Sequence, residues 1–174
     1  MPWRPRRNLA LTELNLESNL IGAQGAQALA SSPHLAGLRI LHLVSCLIGD
    51  EGTRVLASSP HLARLTELNL RHNAVGPEGA RALASSPHLA GLRMLDLGLN
   101  RLGAEGGRAL ASAPHLATLA ELGLCEGTIG DEGALALASS PHLAGLFKLY
   151  LDENVITAAG EAALRTRFGD RVSV

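Results

Sequence analysis

Aromatic side chains are almost missing from this chain. They make up 2% of its 174 residues, while apolar residues as a class make up 47%. Any core must therefore be filled by Leu, Ile, Val and Ala, and a chain of this length is long enough to bury one. Net charge is nearly absent as well. At a formal −1, there is no whole-molecule field to draw in nucleic acid or an anionic membrane, so neither is expected as a partner. Cysteine is limited to Cys46 and Cys125, which excludes a disulfide framework and a structural zinc site. No apolar run approaches the ~18 residues of a membrane-spanning helix. The basic segment 1–7 is not followed by the apolar stretch of a signal peptide. These absences together predict a soluble cytoplasmic protein.

What the chain has in abundance is repetition. ASSPHLA occurs at 30–36, 57–63, 84–90 and 138–144, with ASAPHLA at 111–117, always 27 residues apart. Six units follow one another without insertion, opening at Leu11, Leu38, Leu65, Leu92, Leu119 and Leu146. Each is built on L-x-x-L-x-L-x-x-N; the first reads Leu11, Leu14, Leu16, Asn19 and the fourth Leu92, Leu95, Leu97, Asn100. Repeats of this length are supersecondary units that bury their apolar faces only by stacking.

The pattern, six times in register from residue 11 to about 165, resembles the leucine-rich-repeat family. Within it the chain is most similar to the ribonuclease-inhibitor-like subtype, which carries a helix in every repeat. The form IGDEGALALASSPHLAGL resembles bacterial arrays of planctomycete and myxobacterial type, and fourteen arginines against the single Lys148 agree with a GC-rich source. The resemblance implies an α/β solenoid, a right-handed horseshoe segment of six strand–turn–helix repeats with a parallel sheet on its concave face. It also implies a scaffold that binds a protein partner, with no cofactor and no catalysis.

The residues support this physically. Leu-x-Leu has the period of a strand, so both leucines face one side. In the turn that follows, an Asn amide suits the open backbone groups of the adjacent rung. Asn19, Asn73, Asn100 and Asn154 fill that slot, with Cys46 and Gly127 in the second and fifth units. Cys46 is expected to be a buried thiol, and the turn at Gly127 to be looser. Helices are expected from near Gly22, Gly49, Gly76, Gly103, Gly130 and Thr157, with acidic residues and Pro77 in their first turns. A second glycine, at 25, 52, 79, 106, 133 and 160, is expected to let each helix pack closely on its strand. Leu29, Leu56, Leu83, Leu110, Leu137 and Leu164 should form one buried column, and Pro33 and its equivalents should end the helices. Strands stack ~4.8 Å apart and helices ~8–10 Å, which bends the array with its strands inside.

The two ends differ. Glu161, Arg165 and the segment RTRFGDRVSV replace the small-residue return, and a final strand around Arg171–Val174 is expected within a cap at about 161–174. The domain is then a single one over 11–174, preceded by a poorly ordered tail of residues 1–10. That tail, with Trp3, Arg4, Arg6 and Arg7, is poorly suited to cover an open strand edge. An upstream domain or self-association is expected to cover it.

No catalytic set is evident. The sequence has no phosphate-binding loop, G-x-S-x-G elbow or H-E-x-x-H pair. His34, His61, His88, His115 and His142 recur one rung apart, too far for shared zinc ligation. Glu51–Arg54, Glu78–Arg81 and Glu105–Arg108 are expected as helical i,i+3 pairs. Cys125, near Glu126, has no evident base, since His42 and His72 lie rungs away.

The informative positions are the outward side chains of the strands. By rung they are Glu13, Asn15, Glu17; Ile40, His42, Val44; Glu67, Asn69, Arg71; Met94, Asp96, Gly98; Glu121, Gly123, Cys125; and Lys148, Tyr150, Asp152. This face is acidic, with an apolar patch expected around Ile40, Val44, Met94 and Leu99 and with Tyr150 as an anchor. It is the expected protein-binding surface, suited to a basic partner. The alternative is a spacer array of a larger protein, with no ligand of its own.

Overall fold

The computed structural model describes residues 11–174; Trp3 and the arginines at 4, 6 and 7 lie outside the described residues. Each of six rungs opens with a three-residue strand: β1 (Glu13–Asn15), β2 (Ile40–His42), β3 (Glu67–Asn69), β4 (Met94–Asp96), β5 (Glu121–Gly123) and β6 (Lys148–Tyr150). A seventh, β7 (Val172–Ser173), follows the last helix. All seven are parallel, in sequence order, in one open sheet. The register advances by one repeat per strand, so Leu41, Leu68, Leu95, Leu122 and Leu149 stack as one fully buried row. Leu43, Leu70, Leu97, Leu124 and Leu151 form a second. Burying each leucine contributes roughly 1.5–3 kcal/mol, which is how an interior nearly free of aromatics is held.

Among the described residues six helices lie behind the sheet: α1 (Gly22–Ala30), α2 (Gly49–Ala57), α3 (Pro77–Ala84), α4 (Gly103–Ala111), α5 (Gly130–Ser139) and α6 (Ala158–Phe168). Four of them open on a glycine with φ between 60° and 62°. There the glycine N–H donates to the turn carbonyl of the next rung, as from Gly49 to Asn73 and from Gly130 to Asn154. α3 and α6 begin differently. Gly76 has an ordinary φ of −106° before Pro77, and Thr157 takes the glycine position before α6. At both helices an aspartate from the preceding rung takes over. Asp50 accepts from the Gly76 and Gly79 N–H groups at 2.7 and 2.8 Å, and Asp131 from the Thr157 N–H and hydroxyl at 2.8 and 2.7 Å. Capping by a residue one whole rung upstream supplies what a local N-cap would.

The second recurring glycine has a different role from the one expected. A Cβ at Gly52 would lie 2.7 Å from Ile48 Cγ2 and 3.2 Å from the Cα of Ala23 in α1. The space is needed by the apolar residue entering the same helix and by the neighbouring helix, not by the strand. At the α4–α5 contact a Cβ on Gly107 would come within 3.1 Å of the Gly133 Cα. In the leucine column, Leu56, Leu83, Leu110, Leu137 and Leu164 are buried, but Leu29 is only half-buried. It has a described rung on one side only.

Turns are tied together by the asparagine slot. Asn73 Oδ1 accepts from the Cys46 and Ile48 N–H groups while its Nδ2 donates to the Leu43 and Arg71 carbonyls. Asn100 and Asn154 repeat the arrangement. Cys46 is buried, as expected, and serves half of this function. Its Sγ donates to Leu16 O at 3.0 Å and Val44 O at 3.4 Å, but it offers no oxygen to the rung before. Gly127 offers neither half. Its turn is nevertheless not deformed, because Glu126 and Thr128 keep the φ of 55–56° seen at His72 and Ala74. The change at Gly127 is lost hydrogen bonding rather than an altered path.

A serine ladder joins the opposite side. Ser59, Ser86 and Ser140 are buried and donate to the Ala30, Ala57 and Ala111 carbonyls, the ends of the preceding helices. After α6 a tight turn (Gly169–Arg171) leads into β7, one residue later than the strand expected. Phe168 and Val172 are buried there, and the Arg171 guanidinium donates to Leu146 O and Phe168 O.

Asn73→Ala leaves two buried N–H groups unpaired and is expected to lower stability by about 2–4 kcal/mol in urea unfolding. Asn19, which is exposed and among the described residues bonds only within its own turn, should cost less than about 1 kcal/mol when changed to Ala. Equal losses would show that the ladder carries no special share. A second measurement concerns acid. Hydrogen bonds from Thr157 hold Asp131 below the usual carboxylate range. Its contribution is therefore complete above about pH 4 and lost as pH falls through the folded value. Asp131→Asn should flatten the acid limb of the stability–pH curve.

Candidate functional site

The outward side chains of the strands form three columns along the sheet. The first runs Glu13, Ile40, Glu67, Met94, Glu121, Lys148 and the second Asn15, His42, Asn69, Asp96, Gly123, Tyr150. Glu17, Val44, Arg71, Gly98, Cys125 and Asp152 follow two residues further along each rung. Nearly all of these are half-buried or exposed, as the alternation demands; Gly98, with no side chain to project, is buried. The sequence-predicted face is thus one continuous surface.

Its interior contacts are polar. Glu67 accepts from His42 Nε2 at 2.7 Å across one rung. Arg71 reaches Glu126 at 3.5 Å. Asn15, Asn69 and Asp96 each accept from the N–H two residues on, fixing their side chains along the strand. Asp152 accepts from Ser173 Oγ at 2.5 Å, a bond that holds its carboxyl below the usual range. Glu121 and Lys148 form no ion pair among the described residues.

The expected apolar patch does not form as one surface. Ile40 and Met94 are separated by Glu67 in the register. Leu99 leaves the strand face altogether, because it sits in the turn with φ 54°. Met94 instead walls a depression of about 250 Å³ at the fourth to sixth rungs, with Asp96, Glu121, Gly123, Cys125, Tyr150 and Arg71 around it. Two glycines make the room. A Cβ on Gly98 would lie 2.4 Å from Arg71 Nη1, and one on Gly123 would lie 2.7 Å from Asp96 Oδ1.

Cys125 is not poised as a nucleophile. Partial burial and the neighbouring Asp152, whose Oδ2 its Sγ approaches at 3.5 Å, push its pKa up. Reactive thiols need the opposite environment. His72 is engaged with Ser45 Oγ at 2.9 Å and His42 with Glu67.

Sequence reasoning missed a second surface, the turn edge. Ser18, Ser45, Leu47, His72, Ala74, Leu99, Glu126, Thr128, Glu153 and Val155 all have φ between 53° and 60°. Leu20 and Val155 are 87% and 88% exposed there. An open groove of about 720 Å³ runs between Leu20, Leu47, Leu99 and Arg101. Left-handed backbone for a β-branched residue such as Val155 is uncommon, and neither composition nor periodicity signals it.

On the helical side, shallow furrows recur with the repeat, each flanked by an arginine and a PHL histidine, such as Arg54 with His88. Their arginines are neutralised. Arg54 pairs with Glu51 and Arg81 with Glu78, as expected. The Glu105–Arg108 pair does not form. Where Gly107 and Gly133 bring α4 and α5 together, Arg108 reaches across to Glu132 at 2.6 Å, and Glu105 accepts from Arg81 at 3.3 Å. Exposed pairs of this kind contribute ~0–1 kcal/mol. Among the described residues no three His, Cys, Asp or Glu side chains converge as a metal site, and no helix is long and apolar enough to cross a membrane.

The Leucine Rich repeat family profile matches residues 7–30, 36–57, 61–84, 92–111 and 115–138, in phase with the rungs. The chain belongs to the leucine-rich-repeat family. Among solved structures, an internalin from Listeria monocytogenes is similar, with a TM-score of 0.51 at 19% identity, covering 94% of this chain and 48% of the internalin. That likeness is one of fold, and this leucine-rich-repeat chain spans about half the internalin's length. Comparison with curated protein sequences gives no match.

Asp152→Asn removes an influence that raises the Cys125 pKa. Alkylation of Cys125 is expected to speed up at pH 8, with the midpoint of its rate–pH profile moving to lower pH. Cys46 should react only on unfolding. An unmoved midpoint would show that Asp152 does not act on the thiol.

Proposed function

We propose that this leucine-rich-repeat protein is a non-catalytic recognition module that binds a basic segment of a partner protein on the concave, strand-side face. Charge segregation carries this reading. Glu13, Glu17, Glu67, Asp96, Glu121 and Asp152 face outward from the strands against only Arg71 and Lys148, while the chain as a whole is near neutral. The helical glutamates Glu51, Glu78, Glu105 and Glu132 are instead paired with arginines at their own surface. Helices of eight to eleven residues in every rung favour the ribonuclease-inhibitor-like subtype. Tyr150, 37% exposed at the centre of the sixth strand, suits an anchoring contact. No cofactor enters the proposal.

Capture from a lysate of the source cells at low salt tests it, with wild type set against a folded Glu67→Lys, Asp96→Lys, Tyr150→Ala variant. A protein retained by wild type and lost by the variant is the expected result. Its retention should fall by at least about tenfold between low and high salt, as screening of an acidic face requires. Equal retention by both, or by neither, would reject the strand-side face in favour of a spacer array.

A further inference from the structure

We infer that the depression floored by Gly123 is a socket for a single long basic side chain, Lys or Arg, supplied by the partner protein. The inference rests on the recognition role proposed above and names the contact at its centre. At about 250 Å³ the space falls below the range of a small-molecule pocket and suits one side chain. It exists because β5 has no side chain at the central column, where the neighbouring rungs carry Asp96 and Tyr150.

The walls define the chemistry. Met94 and the Tyr150 ring provide apolar surface for a methylene stem, and the aromatic face also attracts a cation. Asp96 leans over the glycine with its Oδ1 fixed at 2.8 Å from the Gly98 N–H, which leaves the other oxygen, Oδ2, without a bond to this chain among the described residues. Glu121 stands at the rim with no ion pair among the described residues. Two carboxylates therefore meet the end of the entering chain. Arg71, the one cation in the wall among the described residues, lies along the sheet over Gly98 and points to Glu126. The Cys125 thiol stays neutral beside Asp152. An acidic or purely aliphatic side chain would leave Asp96 and Glu121 desolvated without a counter-charge.

The test uses the full chain and NMR titration with the peptide acetyl-Gly-Ser-Lys-Ser-Gly-amide, alongside its norleucine and glutamate counterparts. The lysine peptide is expected to shift the Met94 methyl and Gly123 amide signals saturably, with affinity about tenfold above that of the norleucine peptide. Gly123→Val fills the socket; its Cβ would come within 2.7 Å of Asp96 Oδ1 and 3.1 Å of Asp96 Cγ, so the Asp96 carboxylate must turn aside, and the folded variant should lose the response. Glu121→Gln keeps the shape and should weaken it by about fivefold. Equal shifts with norleucine, or a lysine response surviving in folded Gly123→Val, would overturn the socket. The recognition role fails separately. If capture is lost in the triple variant but kept in Gly123→Val, the face binds and the socket does not.

Discussion

Side-chain amides in three of the six turns, Asn73, Asn100 and Asn154, tie neighbouring rungs together. The turn after each strand leaves two N–H groups and a carbonyl pointing along the stack, buried where water cannot reach them. A carboxamide has both an acceptor and a donor, and Asn73, Asn100 and Asn154 use both at once, accepting from one rung while donating to its carbonyl and their own. Where the amide is present it pairs turn groups that the leucine rows and helices leave buried. Cys46 shows the requirement by meeting half of it, since a thiol donates well enough but accepts too weakly to stand in for the oxygen.

The fold was legible in the sequence because every level repeated the same statement six times. Strand positions, helix starts, the leucine rows and the return at Pro33 and its equivalents all follow from period and residue type. What escaped were interactions that connect one rung to the next. Asp50 reads as a first-turn acid of its own helix, yet it caps the helix that follows. Arg108 reads as the partner of Glu105 and bonds instead to Glu132. Ser59, Ser86 and Ser140, the second serine in three copies of ASSPHLA, are buried bridges to the previous helix. A one-dimensional pattern shows what each unit contains and not which of its polar groups face along the stack.

The candidate surface was legible to a similar depth. Period two placed the outward residues correctly on one face, because strand alternation leaves no other choice. It could not show that Glu67 divides Ile40 from Met94, which needs the register. It could not foresee the turn edge either, where Leu99 and Val155 sit in left-handed backbone. Gly98 and Gly123, which the pattern shows only as outward positions, shape the face by making room for Arg71 and Asp96.

Gly127 has a mechanical consequence. On the turn side, the fourth and fifth rungs are the one neighbouring pair among the second to sixth with no side chain reaching across from the asparagine slot. Behind them, Gly107 and Gly133 let α4 and α5 approach until backbone meets backbone. Between these two rungs the strand ladder and the helix contact carry the connection, and the turn edge is the side with the fewest fastenings. Asp96 stands on one side of that junction and Gly123 and Glu121 on the other, so the spacing of these groups is set by the strand ladder and not by the turns.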